Sequence, residues 1–268
     1  MRSSTRRYAL GLEYDGGGFV GWQSQAGERA VQSELEAALS TVADEPVAVV
    51  TAGRTDAGVH ASGQVAHFDV HCERSLYGWL RGANSNLPPD MAVSWVREVP
   101  ATFHARYAAT ARSYRYLLCE RQTRPVLARR YAAWSYRPLD IERMQQAADG
   151  LLGEHDFSAF RSVHCQAHSP VRTVRELRVT RQDEWVVIDV TANAFLYHMV
   201  RNLVGTLLEV GRGAADTYWP VEVLVGRDRR RAGPTAPAEG LTLSRVEYPE
   251  SFELPAARRP FPPLHALS

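Results

Sequence analysis

The sequence predicts an α+β fold in two halves with antiparallel sheets, and three observations carry that prediction. Runs of strand-like alternation are each followed by a helix-like stripe, and the pattern occurs twice along the chain. The 268 residues are enough for one large or two modest hydrophobic cores. At 45% hydrophobic residues the composition is that of a folded protein, not a disordered one.

Taken in order, Tyr8 to Tyr14 reads as a strand and Asp15-Gly16-Gly17-Gly18 as its turn. Gly16, Gly18 and Gly21 satisfy the spacing of a dinucleotide-binding turn, but Gly21 to Gln25 is a poor helix opening and the helical pattern starts only near Ala30. The dinucleotide reading is rejected on that ground. The helix itself carries Val31, Leu35, Ala38, Leu39 and Val42 on one stripe. A β-branched run from Val47 to Thr51 precedes the loop Gly53 to Ala61, and Gln64 to Val70 alternates at strand period. Ser75 to Ala83 is helical, Asn84 to Asp90 is a proline-containing turn, and Met91 to Val99 is a further strand.

The division between halves falls within residues 105 to 112, giving an N-terminal domain over 1–108 and a C-terminal domain over 109–248. In the second half, Arg112 to Cys119 alternates, with Tyr114, Tyr116 and Leu118 on one face. Asp140 caps a helix from Ile141 to Leu152 that ends at Gly153. Val174 to Thr180 and Trp185 to Thr191 form a hairpin. A helix from Phe195 to Val210 turns Phe195, Met199, Leu203, Thr206, Leu207 and Val210 inward and stops at Gly211. The proline-rich tail, 249–268, is expected to pack poorly.

Several chemistries are excluded by residue usage. All 31 basic residues are arginine, so there is no lysine for a Schiff base or for a Walker A loop. Cys72, Cys119 and Cys165 are odd in number and widely spaced, which supports neither a disulfide framework nor a zinc site. The basic start, Met1 to Arg7, leads into too short an apolar run for a signal peptide, and no later run suffices to span a bilayer. A cytoplasmic protein without membrane contact is expected. Net charge is only +1, yet from Arg97 to Arg137 nine arginines face only Glu98 and Glu120, interleaved with tyrosines and Trp134. That mixture suits RNA phosphates and unstacked bases, although a solvated basic surface over core aromatics would read the same way.

The stretch Gly53-Arg54-Thr55-Asp56-Ala57-Gly58-Val59-His60-Ala61 concentrates two glycines and opposite charges on a tight loop between strands. By itself it is ordinary turn chemistry, with Asp56 binding backbone amides and Arg54 in solvent. Gly53 and Gly58 are both able to take positive φ there. His60, His67, His104 and His198 are given no catalytic role, since a structural or RNA-facing histidine is the commoner case.

With those residues in view, the chain resembles the tRNA pseudouridine synthase A family. The matching blocks are Tyr14-Asp15-Gly16 with Gly21-Trp22-Gln23; Gly53 to Ala61 with Gly63-Gln64-Val65; Phe103-His104-Ala105-Arg106; Tyr114-Arg115-Tyr116; Asp156 to Arg161; His198-Met199-Val200-Arg201-Asn202; and Glu239-Gly240-Leu241. They run in order from about residue 8 to 248. The resemblance implies the pseudouridine synthase fold, two RRM-like α+β subdomains flanking a basic central cleft. It also implies isomerisation of uridine to pseudouridine in the tRNA anticodon stem-loop, at positions 38, 39 and 40, by a homodimer with no cofactor, nucleotide or metal. It makes Asp56 the catalytic nucleophile acting on a flipped uridine, Tyr114 the tyrosine against the target base, and Arg201 the partner of Asp56. Leu241 would pack beside the base, Arg54 and Arg106 would grip RNA, and the segment from His164 to His168 would add a contact. Gln122 stands where relatives are expected to carry a basic residue, which puts that peripheral contact in doubt. A non-catalytic tRNA-binding or chaperone module is the second reading of the same arginines and aromatics.

Overall fold

The computed structural model describes residues 5–256, and the chain folds as two compact units. Unit 1 runs through Thr110 and resumes at Leu243; unit 2 is Ala111–Thr242. The expected division near residues 105 to 112 thus has a second crossing at Leu243. The segment from there does not stay with the C-terminal half, because its apolar side chains complete the core of unit 1.

In unit 1, β1 (Arg6–Tyr14) lies between β3 (His60–Val70) and β4 (Met91–Val99), antiparallel to both. The short β2 (Val49–Thr51) also pairs with β3, as does β10 (Leu241–Glu247), whose Ser244 carbonyl lies where a side chain on Gly63 would be. One face carries α1 (Val31–Ala43) and α2 (Leu76–Asn86). Tyr8, Phe68 and Trp79 meet there with ring centroids 5.0 to 5.6 Å apart. The helical stripe of α1 is buried at Val31, Leu35, Ala38 and Leu39. On the opposite face Ala9, Val65 and Phe103 form a second cluster, covered by Trp95, Val246, Tyr248, Phe252 and Leu254. The tail therefore packs as far as Leu254, contrary to expectation, since Tyr248 meets the Phe103 ring tilted and Phe252 meets it edge to face. Its part from residue 257 on, like Met1 to Ser4, lies outside the described residues. The helix α2 also runs beyond Ala83 to Asn86, and the proline turn begins only after it.

In unit 2, β5 (Ala111–Glu120) pairs with β9 (Trp185–Ala192), then come β8 (Val171–Gln182) and β7 (Gly153–Asp156), all antiparallel neighbours. The short β6 (Ala133–Ser135) lies parallel to β5. The predicted hairpin is present, with Asp183 in the left-handed region at its tip. The helix α3 (Ile141–Asp149) has the expected Asp140 cap, accepting from the Arg143 amide at 3.0 Å, but it stops at Asp149, short of Leu152. Next, α4 (Met199–Gly211) buries nearly every residue; full burial of Leu203 or Leu207 stabilises by about 1.5–3 kcal/mol each. It starts four residues later than the stripe predicts, because His198 takes φ 63 and breaks helical continuity after Phe195. A fifth helix, α5 (Trp219–Gly226), follows.

Candidate functional site

The loop joining β2 to β3 is held in place by residues distant in sequence. Trp22 donates its amide to the Thr55 carbonyl at 3.0 Å, and Gly21 and Asp56 form an isolated antiparallel bridge. The hydroxyls of Tyr14 and Thr55 are 2.9 Å apart, and the Gln64 side-chain amide donates to the Gly53 carbonyl at 2.7 Å. Burial pushes the Tyr14 phenol up to about 12, opposed by the hydrogen bonds of Thr55 and Gln64, so it stays a neutral tether. Of the two loop glycines, Gly58 takes positive φ at 77° and Gly53 is not among those that do. Gly16 accommodates the loop's far end, where the Val59 carbonyl occupies the space of a side chain. Its amide donates to Nδ1 of buried His60 at 3.0 Å. The result is a partly buried Asp56 on backbone fixed from both sides, with Arg54 exposed beside it. A carboxylate with a prescribed position is what nucleophilic or charge-stabilising chemistry requires.

Arg106 lies elsewhere in unit 1, after β4. Its amide and that of Tyr107 both donate to Nδ1 of His104 at 3.2 Å, which winds the segment into a tight turn. The rings of His67, His104 and Tyr107 follow one another at 4.9 and 4.3 Å. Burial, with Arg7 and His104 adding to it, pushes His67 down to about 4, and burial, Arg7 and Arg106 lower His104. His67 accepts the Ala105 amide at 3.1 Å, a structural task. At the outer end Tyr107 is 76% exposed, and the Arg106 guanidinium sits 5.6 Å from its ring centroid.

Unit 2 contains the remaining predicted residues. Tyr114 on β5 is buried and meets Phe195 edge to face at 5.0 Å. Its same-face neighbour Tyr116 is fully enclosed, donates its hydroxyl to the Pro237 carbonyl at 2.9 Å, and is held above the usual phenol range by burial. Arg201 lies in the first turn of α4, half-buried, with Nε donating to the Ala236 carbonyl at 2.7 Å. Leu241, buried, starts β10, its amide bound to the Ala238 carbonyl at 2.9 Å. The segment from Ala236 to Leu241 thus joins Arg201, Tyr116 and Leu241 within one neighbourhood. His164 and His168 are exposed on the loop before β8.

The sequence reading gave no role to Tyr14, Gln64 or Gly21, although all three stood inside quoted motif blocks and hold the Asp56 loop. It also missed Arg229 and Thr235, which bind Asn202 on α4. Neither belongs to a motif block, so no local signal marks them. Among the described residues no helix is long and apolar enough to cross a membrane.

A family model described as tRNA pseudouridine synthase matches residues 12–108 and 147–249. The chain is 54% identical over 254 residues to tRNA pseudouridine synthase A of Nitrosococcus oceani, covering 95% of this chain and 98% of that one. It is 54% identical over 248 residues to the protein of that name from Methylococcus capsulatus, covering 92% of each chain. Against that of Pseudomonas aeruginosa it is 53% identical over 250 residues, covering 93% of this chain and 88% of the other.

Proposed function

Because this chain belongs to the tRNA pseudouridine synthase family, isomerases that convert uridine to pseudouridine in tRNA, we propose that Asp56 is its nucleophile and that its target is a flipped uridine of the anticodon stem-loop. The observation that carries the proposal is the anchoring of the Asp56 loop by Tyr14, Trp22 and Gln64, because a turn with no task would not need tethers from two other strands and a preceding loop. The isomerisation breaks the bond from C1′ to N1, turns the uracil and joins C1′ to C5, so no atom enters or leaves overall. The step asks for a carboxylate in its ionised form, which needs no activating base. Its risk in a dry pocket is loss of charge, and Arg201 has the task of keeping that charge and aiming the oxygens.

Taking a base from its stack costs a few kcal/mol, of which stacking on Tyr114 returns about 1–3 kcal/mol. Tyr116 is the poorer candidate, since its hydroxyl is already committed to Pro237. Leu241 would pack beside the base, while Arg54, Arg106 and the His164 to His168 loop would hold the RNA backbone. The same resemblance carries a homodimer with it.

The test is Asp56→Asn, assayed by tritium release from tRNA carrying 5-tritiated uridine. Product formation is expected to vanish while tRNA affinity stays within a few fold. Turnover in that variant would remove Asp56 from the role.

A further inference from the structure

Arg201 is held from a direction that the family motifs do not reveal. Its Nε donates to the Ala236 carbonyl and its own carbonyl accepts the Ala236 amide at 3.0 Å, so one residue of the following segment clasps both its side chain and its backbone. With Nε committed, the position of Ala236 fixes one edge of the planar guanidinium. What places Ala236 is a cluster of polar side chains packed against α4. Arg229 donates to the Gly233 carbonyl at 2.9 Å and, through Nη2, to the Asn202 side-chain oxygen and the Thr235 hydroxyl, each at 3.0 Å. The Thr235 hydroxyl donates in turn to the same Asn202 oxygen at 2.7 Å. Asn202 is anchored by its amide to the Phe160 carbonyl at 2.7 Å, and Thr206 accepts the Gly233 amide at 3.0 Å. Gly205 completes the seat, because the Pro234 carbonyl fills the place of its missing side chain.

A guanidinium devoted to neutral acceptors is an expensive way to shape a loop, and burial accordingly lowers the proton affinity of Arg229. Ordinary loop packing would not require it. We propose that Arg229, Asn202 and Thr235 are positioning residues of the isomerisation, fixing Gly233 to Pro237 so that Ala236 aims the Arg201 guanidinium. The inference rests on the reading that Arg201 serves the reaction.

The experiment compares Thr235→Val, Thr235→Ser, Arg229→Gln and Arg201→Ala as full-length proteins, by single-turnover rate, tRNA Kd and melting temperature. A misplacement of about 1 Å costs on the order of 10²-fold in rate. Thr235→Val and Arg229→Gln are therefore expected to slow the chemical step about 10- to 100-fold with Kd within about twofold. Thr235→Ser, which keeps the hydroxyl, is expected to recover the rate to within about threefold. If Arg201→Ala is inactive but Thr235→Val reacts at the wild-type rate, the positioning role is overturned and the role of Arg201 stands. If Arg201→Ala keeps the wild-type rate, the underlying reading fails first, and the proposal with it. A loss of rate in Thr235→Val matched by an equal loss of affinity, or by a fall in melting temperature above about 5 °C, assigns the cluster to stability and also overturns it.

Discussion

The dependence of the Asp56 loop on Gly21 is open to a direct test by Gly21→Ala. Gly21 has φ +112, and an added Cβ would meet the Thr55 carbonyl oxygen at 2.8 Å and the backbone of Asp56 and Ala57 at 3.1 Å. Gly27 is the control, with φ +76 and no atom within 4 Å of the same added carbon. Both substitutions put an L side chain at positive φ, which costs about 1–3 kcal/mol. Only Gly21→Ala adds a clash with backbone that no rotamer relieves. The Thr55 carbonyl must retreat, and it is the acceptor of the Trp22 amide at 3.0 Å, so about 1 kcal/mol of hydrogen bonding is also lost. The expected destabilisation is about 2–4 kcal/mol for Gly21→Ala against about 1–3 kcal/mol for Gly27→Ala, read by urea unfolding. The larger difference lies in activity. Displacing the residues on either side of Asp56 should lower tritium release from 5-tritiated tRNA about 10²-fold, while Gly27→Ala stays within about twofold. A Gly21→Ala enzyme that turns over normally, or a Gly27→Ala enzyme slowed as much, refutes the idea that Gly21 sets the carboxylate's place.

Two further outcomes follow from the same geometry. Arg54→Ala and Arg106→Ala should each weaken tRNA binding and reduce the slope of log affinity against log salt by about 0.9 per lost phosphate contact; unchanged affinity and slope would remove both arginines from the RNA surface. His67, pushed down to about 4 from 6.5, stays neutral in the fold while the unfolded chain protonates as pH falls below 6.5. Its contribution to stability is thus full above that pH and is lost progressively toward 4, with a slope of at most about 1.4 kcal/mol per pH unit. His67→Asn, which keeps an acceptor for the Ala105 amide, should lose less stability between pH 7 and pH 5 than the wild type in urea titrations. Equal losses would show that His67 is not the titrating group.

What the sequence made legible was whatever is encoded locally. Met91 to Val99, read as a strand, forms β4 with those bounds although a bulge at Ser94 interrupts its alternation, and the stripe from Val31 to Leu39 is the buried face of α1. The α4 stripe misled at its start, because Phe195 keeps the helical spacing while the left-handed backbone at His198 is invisible to periodicity. The helix α5 went unassigned: Trp219 to Gly226 is rich in β-branched residues, and packing overrides that local preference. β10 was seen only as a motif at Leu241, since its apolar alternation extends no further than Leu243 before Arg245 interrupts it. The site divides the same way. The Asp56 loop announces itself because its unusual residues are contiguous. Arg229 stands 27 positions from Asn202, and a hydrogen bond across that span leaves no trace in composition or period.

The return of the chain to unit 1 at Leu243 reverses the order of making and finishing. The ribosome delivers all of Ala111–Thr242 before it delivers Val246, Tyr248 and Phe252, the side chains that cover Phe103. The half begun first is therefore sealed last. Until then a nascent N-terminal half exposes one apolar sheet face and the part of the β3 flank that β2 leaves unpaired, the kind of surface that attracts chaperones or other nascent chains. Translational pauses within the inserted half would lengthen that vulnerable interval.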